Sequence, residues 1–572
     1  MEEFTTFGEL KYERPDFEKV KSFYAGVTKK LKNAKDYAAV KACMQEEEVF
    51  SRRLSTMVNI AYIRHTIDTA DKFYEEEDKY CNRCYPEAMP YMQAFNFALL
   101  ESPFRKEIDG EYGEFFLKNI KLAADSFSEK NIALMQEESN LVDRYQKIMA
   151  SCRIPFAGEE CNLYGIKKYF SSPDRAVRRE AWKKYSEFFA AHEKEMEEIF
   201  DRLVKIRNEM GRNMGFENFV PLGYMQQGRL DYGKEQVAAF RKQVKEVLVP
   251  FCEKLYKAQA KRLKIDKVMC YDEEAIFPDG NAVPVGDRAY LVEQAKKMYH
   301  EMSPETGEFI DFMLEHELMD LDNKPNKAST GYMDALEDYK APFVFSCFNG
   351  TTGDVDVLTH EMGHAFAGYM AMRAQPLSAQ WNESTDIAEI HSMSMEQFAY
   401  PYAELFFGEK ADKYRFQHLQ EALTFVPFGV AVDEFQHIVY ENPGLTPAQR
   451  TAEWHKLEKI YMPWRDYDGD EFFGKGGWWY HKIHIFHYPF YYINYTLTTM
   501  GAMEFKKKLA EDPESCKKDY LILCRTGGSL GYLDTLRAAN LSVPFEEGSV
   551  RRATEYAMEI LEKQMQKQGV LK

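Results

Sequence analysis

The residues with the clearest chemical potential are two histidines four positions apart, His360 and His364, with Glu361 directly after the first. Residues at this spacing lie one turn apart on the same face of a helix, so both imidazoles can bind one metal ion. Glu361 would then lie beside the open coordination position and could accept a proton from a bound water molecule. The sequence has 13 histidines in 572 residues, so His-Glu-x-x-His should arise by chance about once in thirty-five such chains. The spacing therefore favours a catalytic metal site over two structural histidines.

A tetrahedral catalytic site needs a third protein ligand and an open fourth position. The residue six positions after His364, where a further histidine could serve, is Met370. Two glutamates remain: Glu383 lies 19 residues after His364, and Glu389 lies 25 residues after it. A helix predicted over Ile387–Tyr400 would hold Glu389 in its first turn and leave Glu383 in the preceding loop. Spacing alone leaves both glutamates open.

Three segments together resemble the thimet oligopeptidase and oligoendopeptidase F family of zinc metallopeptidases, in its bacterial Pz-peptidase-like branch. They are the strand and turn FVFSCFNGT at 343–351, the helix HEMGHAF at 360–366 and the segment DIAEI at 386–390. The resemblance is strong from about residue 200 onward. It implies one zinc ion per chain, Glu389 as the third ligand beside His360 and His364, and Glu361 as general base.

A histidine- and tyrosine-rich segment lies further along the chain. Tyr488, Tyr492 and Tyr495 are spaced four and three apart, so on a helix their hydroxyls would converge on one face. Such a stripe usually packs in a core. The family resemblance instead implies that His484, Tyr488 and Tyr495 stabilise the transition state, with Tyr492 lining the substrate site. His487 competes with His484 for this role.

The apolar stretch before the metal motif predicts a strand over Pro342–Phe348 that ends at a turn, Asn349–Gly350. We expect this strand to pair with an extended peptide by edge addition, with Phe348, Asn349 and Gly350 as substrate-binding residues.

Three other acids could orient a histidine ligand by accepting its distal N–H. Asp356 lies one turn before His360, Asp354 is the alternative, and Glu396 lies two turns after Glu389 on the same predicted face.

Composition excludes several other classes of protein. The formal charge is 74 − 92 = −18, which argues against a nucleic-acid partner, because phosphate contacts need a basic face. The sequence contains no uncharged apolar run of about 18 residues, so no membrane span is expected. The ten cysteines are too dilute for a disulfide framework. Residues 1–15 lack the basic start and apolar stretch of a secretory signal, so we expect the mature protein to start there and to be cytoplasmic.

The periodicity of apolar residues predicts a mostly α protein with one small β-sheet beside the zinc-binding helix. Helix breaks are expected before prolines, for example at Tyr85-Pro86 and Ser172-Pro173. We expect an N-terminal helical region, 1–200, and a catalytic metallopeptidase domain, 201–572, packed around one channel. The resemblance implies a zincin-like helical shell that encloses this deep substrate channel.

The predicted function is therefore a zinc-dependent endopeptidase that hydrolyses internal bonds of short, unstructured peptides. One alternative is a zinc aminopeptidase with Glu383 as third ligand, and another is a non-catalytic, peptide-binding helical protein. The sequence does not specify an oligomeric state.

Overall fold

The computed structural model describes residues 5–328 and 330–571, and the predicted chain start at residues 1–4 lies outside them. The described chain is mostly helical, which confirms the predicted fold class, and it carries two small sheets. None of the described helices combines the length and apolarity needed to cross a membrane. The chain forms two compact units, which are described in turn. The first contains Met1–Asp125, Val283–Ala411 and Lys508–Leu541, and the second contains Ser126–Ala282, Asp412–Lys507 and Ser542–Lys572.

Both units are discontinuous in sequence. The division into an N-terminal helical region, 1–200, and a catalytic domain, 201–572, stays a prediction. The channel that these helices are expected to enclose also stays a prediction.

The first unit consists of helices around a small sheet. Asp side chains cap several of its helices; the carboxylate of Asp16, for example, accepts from the backbone N–H groups of Glu18 and Lys19. The helices are Phe17–Lys32, Tyr37–Ile67, Lys72–Leu100, Arg105–Tyr112, Glu114–Asp125, Arg288–Met302, Pro304–Glu315, Thr352–Ala374, Thr385–Phe398, Ala403–Phe407, Pro513–Thr526 and Tyr532–Ala538.

One predicted helix break is wrong, because Lys72–Leu100 continues through both Pro86 and Pro90. A proline inside a helix removes a hydrogen bond and costs about 3 kcal/mol in isolation. Tertiary packing offsets this cost: the ring of Phe17 contacts Tyr80 and Tyr85 at centroid distances of 5.7 and 6.1 Å. The predicted break before Pro173 is confirmed, since the next long helix begins at Arg175.

The second unit contains the longest helix and a two-stranded sheet that the sequence did not predict. Strand β1, Ile154–Phe156, pairs antiparallel with β2, Glu159–Cys161. Helices Ala411–Glu441 and Ile493–Glu511 are assigned to this unit, which holds most of their residues. The other helices are Ile132–Ala150, Leu163–Lys167, Arg175–Asn213, Val220–Gln226, Lys234–Leu263, Pro447–Tyr461, Glu471–Gly474, Ile483–His487 and Ser549–Lys567.

The sheet of the first unit has three strands in the order β3-β5-β4. Strand β3, Met319–Asp320, runs parallel to β5, Ala341–Phe345, and β4, Tyr332–Leu336, runs antiparallel to it. The helix Thr352–Ala374 packs on β4 and β5. The predicted small sheet beside the histidine-bearing helix is therefore present.

Candidate functional site

Two helices of the first unit carry the candidate metal ligands. Thr352–Ala374, named here the HExxH helix, holds both histidines, and Thr385–Phe398, named here the Glu389 helix, holds the glutamate. The two helices pack directly against each other. The i,i+4 spacing of His360 and His364 places their rings 5.0 Å apart. The four-residue spacing on the HExxH helix therefore positions the two histidines, and the packing of the Glu389 helix against it positions the third ligand.

The three side chains converge on one point. The Oε2 atom of Glu389 lies 3.1 Å from His360 Nε2 and 3.4 Å from His364 Nε2. One potential ligand atom from each residue lies within 4.8 Å of those of the other two. Two imidazole nitrogens and a carboxylate oxygen are a donor set that suits zinc.

Glu383, the other candidate for third ligand, lies elsewhere in the unit. Its Oε1 atom is 3.6 Å from Nε2 of the buried His391, and it does not belong to the cluster of possible ligands. The geometry therefore favours Glu389.

The distal nitrogen of His360 faces a second carboxylate. Its Nδ1 atom lies 2.5 Å from Glu396 Oε1. Asp354, which was one alternative for this role, instead accepts from the backbone N–H groups of Asn349 and Gly350 at 2.8 and 2.7 Å. A carboxylate in the position of Glu396 fixes the ring orientation and the tautomer of a ligating histidine.

The electrostatics of this cluster favour a bound cation. Burial alone would raise the pKa of Glu389, but the imidazoles of His360 and His364 hold it well below its usual range. Burial would lower the pKa of His360, but its hydrogen bonds to Glu389 and Glu396 raise it well above its usual range. The carboxylates of Glu389 and Glu396 thus both stabilise a positive charge at this partly buried site.

Glu361 is half-buried on the HExxH helix. Within the described part of the chain, its carboxylate makes no hydrogen bond or ion pair, which leaves both oxygens free to accept a proton from a reactant.

A buried layer behind the Glu389 helix supports it. The Tyr520 hydroxyl donates to the backbone carbonyl of His391 at 2.9 Å, across 129 residues of sequence. The Sγ atom of Cys524 lies 3.8 Å from His391 Nδ1. No spacing in the local sequence predicts these contacts, because the partners lie more than 100 residues apart.

The predicted peptide-binding edge is wrong for the strand at Pro342–Phe348, since β5 is the central strand and is paired on both sides. Beyond the strand, the N–H of Phe348 donates to Leu321 at 2.9 Å. The backbone N–H groups of Asn349 and Gly350 donate to the carboxylate of Asp354. Contact of these three residues with a peptide stays a prediction, and it would need their carbonyls or side chains.

In the second unit, the segment Tyr480–Tyr495, named here the aromatic segment, is not one continuous helix. It contains the short helix Ile483–His487 and the start of Ile493–Glu511, and Tyr488 to Tyr492 form a turn between them. Pro489 and the left-handed Phe490 (φ 63°) account for the interruption.

Tertiary packing nevertheless gathers the aromatic rings around His484. Its ring centroid lies 4.9 Å from that of Tyr492, 6.0 Å from Tyr495 and 6.2 Å from Tyr488. The Nδ1 atom of His484 is buried, with no hydrogen-bond partner among residues 5–328 and 330–571. Burial, followed by the charge of Lys482, lowers the pKa of His484 to about 3, so its imidazole is neutral near pH 7.

His487, the competing histidine, has partners of its own. Its Nδ1 atom lies 3.3 Å from the Gln146 amide, and its ring stacks on Tyr488 at 3.8 Å. Of the two histidines, only His484 has a ring at the centre of the tyrosine group.

Two arginines that no sequence motif indicates hold the aromatic segment in place. The fully buried Arg207 donates to the carbonyl of Phe486 at 2.5 Å. Arg229 donates to the carbonyl of Phe490 at 2.5 Å and to Asn494 Oδ1 at 3.0 Å. Their sequence distance from the segment removes any local signal.

Two family models match the chain. Residues 7–127 match the peptidase M3 N-terminal domain, and residues 168–282 and 286–554 match peptidase family M3. Among curated proteins, none matches this chain significantly.

Solved structures show the same similarity over nearly the full length. A protein described as an oligoendopeptidase F is 43% identical with a TM-score of 0.89, and the match covers 97% of this chain and 98% of that one. PZ peptidase A, solved with an inhibitor, is 43% identical with a TM-score of 0.90 and coverage of 98% and 99%. A Bacillus anthracis str. Ames protein described as an oligoendopeptidase F is 38% identical with a TM-score of 0.85, and the match covers 98% of both chains.

Proposed function

Because the chain belongs to peptidase family M3, we propose that it is a zinc-dependent endopeptidase acting on internal bonds of short, unstructured oligopeptides. The family and the solved relatives make it a metallopeptidase of the oligoendopeptidase type, and they confirm the family resemblance drawn from the motifs. The observation that carries the finer proposal is the convergence of His360, His364 and Glu389 within 4.8 Å.

The proposed zinc site holds one ion through these three side chains. Nitrogen and carboxylate donors fit zinc, and three protein ligands leave one coordination position open. When bound, zinc lowers the pKa of water and polarises a peptide carbonyl.

Glu361 is the proposed general base. Its carboxylate accepts the proton of the attacking water and then passes it to the nitrogen of the departing amine. Among the described residues the Glu361 carboxylate has no hydrogen-bond or ion-pair partner, which supports this role, because neither oxygen has to be released first. The His360–Glu396 contact supports a fixed orientation of one ligand during these proton transfers.

The family resemblance assigns oxyanion and carbonyl stabilisation to His484, Tyr488 and Tyr495. A neutral His484 supports this assignment, because it can donate an N–H without adding permanent charge. Tyr492 and His487 are proposed to line the substrate site, together with Phe348, Asn349 and Gly350. The proposed location is the cytoplasm, and the proposed partners are short peptides.

The test is cleavage of peptides of increasing length, with blocked and with free amino termini, by the wild type and Glu361→Gln. We expect the wild type to cleave blocked peptides internally up to a length limit. Glu361→Gln should lose about 100- to 10,000-fold in turnover while retaining zinc. Trimming that requires a free amine would reject the endopeptidase, and full activity of Glu361→Gln would reject the general base.

A further inference from the structure

Lys482 occupies an unusual place in the aromatic segment. It lies two residues before His484, and its Nζ atom is 4.1 Å from the ring centroid of Tyr492 and 5.8 Å from that of Phe428. The faces of these two rings lie near the ammonium. Burial lowers the pKa of His484, and the charge of Lys482 lowers it further. The ammonium therefore belongs to the same cluster as the proposed transition-state ligands.

This ammonium has no counter-charge within the described chain. The Nζ atom of Lys482 makes no ion pair or hydrogen bond with any described residue, and the charge that shifts the pKa of Lys482 is that of a second lysine, Lys167. Burial, followed by repulsion from Lys167, lowers the pKa of Lys482 to about 7. A buried cation beside a like charge is unfavourable, so Lys482 either loses its proton or is stabilised by an anion.

Water and ligands can nevertheless reach the two lysines. Lys482 and His484 are half-buried, and Lys167 is exposed. Burial lowers the pKa of Lys167, and the charge of Glu274 opposes this shift, so this second lysine already has a partial counter-charge. Lys482 is therefore the cation that remains for a ligand to neutralise.

We propose that Lys482 binds a carboxylate of the peptide substrate and thereby sets a preference for peptides with a negative charge near the cleaved bond. The inference rests on the proposed peptidase function, because peptides are the ligands that would bring a carboxylate to this place. A lysine ammonium pairs with a carboxylate as a point charge with three donors. The carboxylate has two sources in a peptide, namely its C-terminus or an acidic side chain.

The experiment compares kcat/KM for matched peptides that differ in one charge. One pair ends in a free carboxylate or in an amide, and a second, C-terminally amidated pair carries Glu or Gln on the C-terminal side of the cleaved bond. The enzymes are the wild type, Lys482→Met and, as matched control, Lys459→Met, which removes an exposed lysine of the same unit.

For the wild type we expect a preference of about tenfold or more for the charged member of one pair. A preference in the first pair identifies the C-terminus, and a preference in the second identifies an acidic side chain. Lys482→Met should reduce the preference to within about twofold, whereas Lys459→Met should leave it unchanged. A ratio of rates within one enzyme does not depend on how much of that enzyme is active.

Equal cleavage of both members of both pairs by the wild type would overturn the proposal without any variant. A preference that survives in Lys482→Met would overturn it as well, and Lys482→Gln serves if the methionine variant does not fold. If the wild type cleaves none of the peptides, the proposed function itself fails, which is a distinct result.

Discussion

A Cβ atom on Gly363 would lie only 2.7 Å from the Cα atom of Ser392. The HExxH helix and the Glu389 helix thus lie in close contact at a residue between the two histidines, where only glycine fits. Because Glu389 enters the metal cluster through this packing, the glycine inside His-Glu-Met-Gly-His has a structural task that the motif alone does not reveal.

We expect Gly363→Ala to lower the melting temperature and the zinc affinity, since the two helices must move apart. Gly368→Ala in the same helix is the matched control, because its Cβ would meet Met333 at an ordinary 3.6 Å. That control should be neutral or stabilising by up to about 1 kcal/mol, as alanine is the better helix former. Thermal unfolding and zinc content measure both effects. Equal behaviour of the two variants would contradict the close-packing argument.

Removal of the third ligand should release the metal. Glu389→Gln deletes the carboxylate that lies near both histidines, whereas Glu383→Gln changes a residue beside His391. After dialysis, metal analysis should find about one zinc per chain in Glu383→Gln and little in Glu389→Gln. Chelation of the wild type should abolish activity, and added zinc should restore it. Zinc loss from Glu383→Gln alone would favour the aminopeptidase-like ligand set.

Glu396→Gln should weaken zinc binding without removing a ligand. The change reduces the hydrogen bond that orients His360, and such partners are worth about 10- to 100-fold in metal affinity. Competition with a chelator of known affinity gives the measurement. Asp354→Asn is the comparison, because that carboxylate binds backbone N–H groups and not the histidine. An unchanged affinity in Glu396→Gln would remove the orienting role.

Tyr495→Phe should lose about 100- to 1,000-fold in kcat if its hydroxyl stabilises the oxyanion. Zinc content and melting temperature should stay close to those of the wild type. Tyr164→Phe, at a tyrosine that is 88% exposed, controls for loss of a hydroxyl in general. A Tyr495→Phe enzyme with most of its turnover would show that the Tyr495 hydroxyl does not stabilise the oxyanion.

The preference for a peptide carboxylate should fall as pH rises. Lys482 binds an anion in its protonated form, and its pKa is lowered to about 7 by burial and by Lys167. The peptide C-terminus, with a pKa near 3.5, stays ionised from about pH 5 to 9. The acid-to-amide ratio of kcat/KM should therefore be largest near pH 6 and approach one near pH 9. Ionisations shared by both substrates cancel in this ratio, so a flat profile would contradict the role of Lys482.

Local periodicity was sufficient for much of this protein. It predicted the mostly helical class and the helix that presents His360 and His364, because residues four apart on a helix lie on the same face. The family motifs added Glu389 and the peptidase class. Spacing by itself left Glu383 and Glu389 equivalent, since sequence separation carries no information about the direction in which a loop returns.

Tertiary structure decided what depends on distant residues. Packing against Phe17 allows Lys72–Leu100 to continue through Pro86 and Pro90, and two flanking strands turn the predicted edge strand β5 into the centre of the sheet. Buried Arg207 and Arg229 hold a segment that is not one helix. The number and spacing of residues determined which helices could form, whereas helix crossings and long-range hydrogen bonds, whose partners lie far apart in sequence, determined which side chains meet.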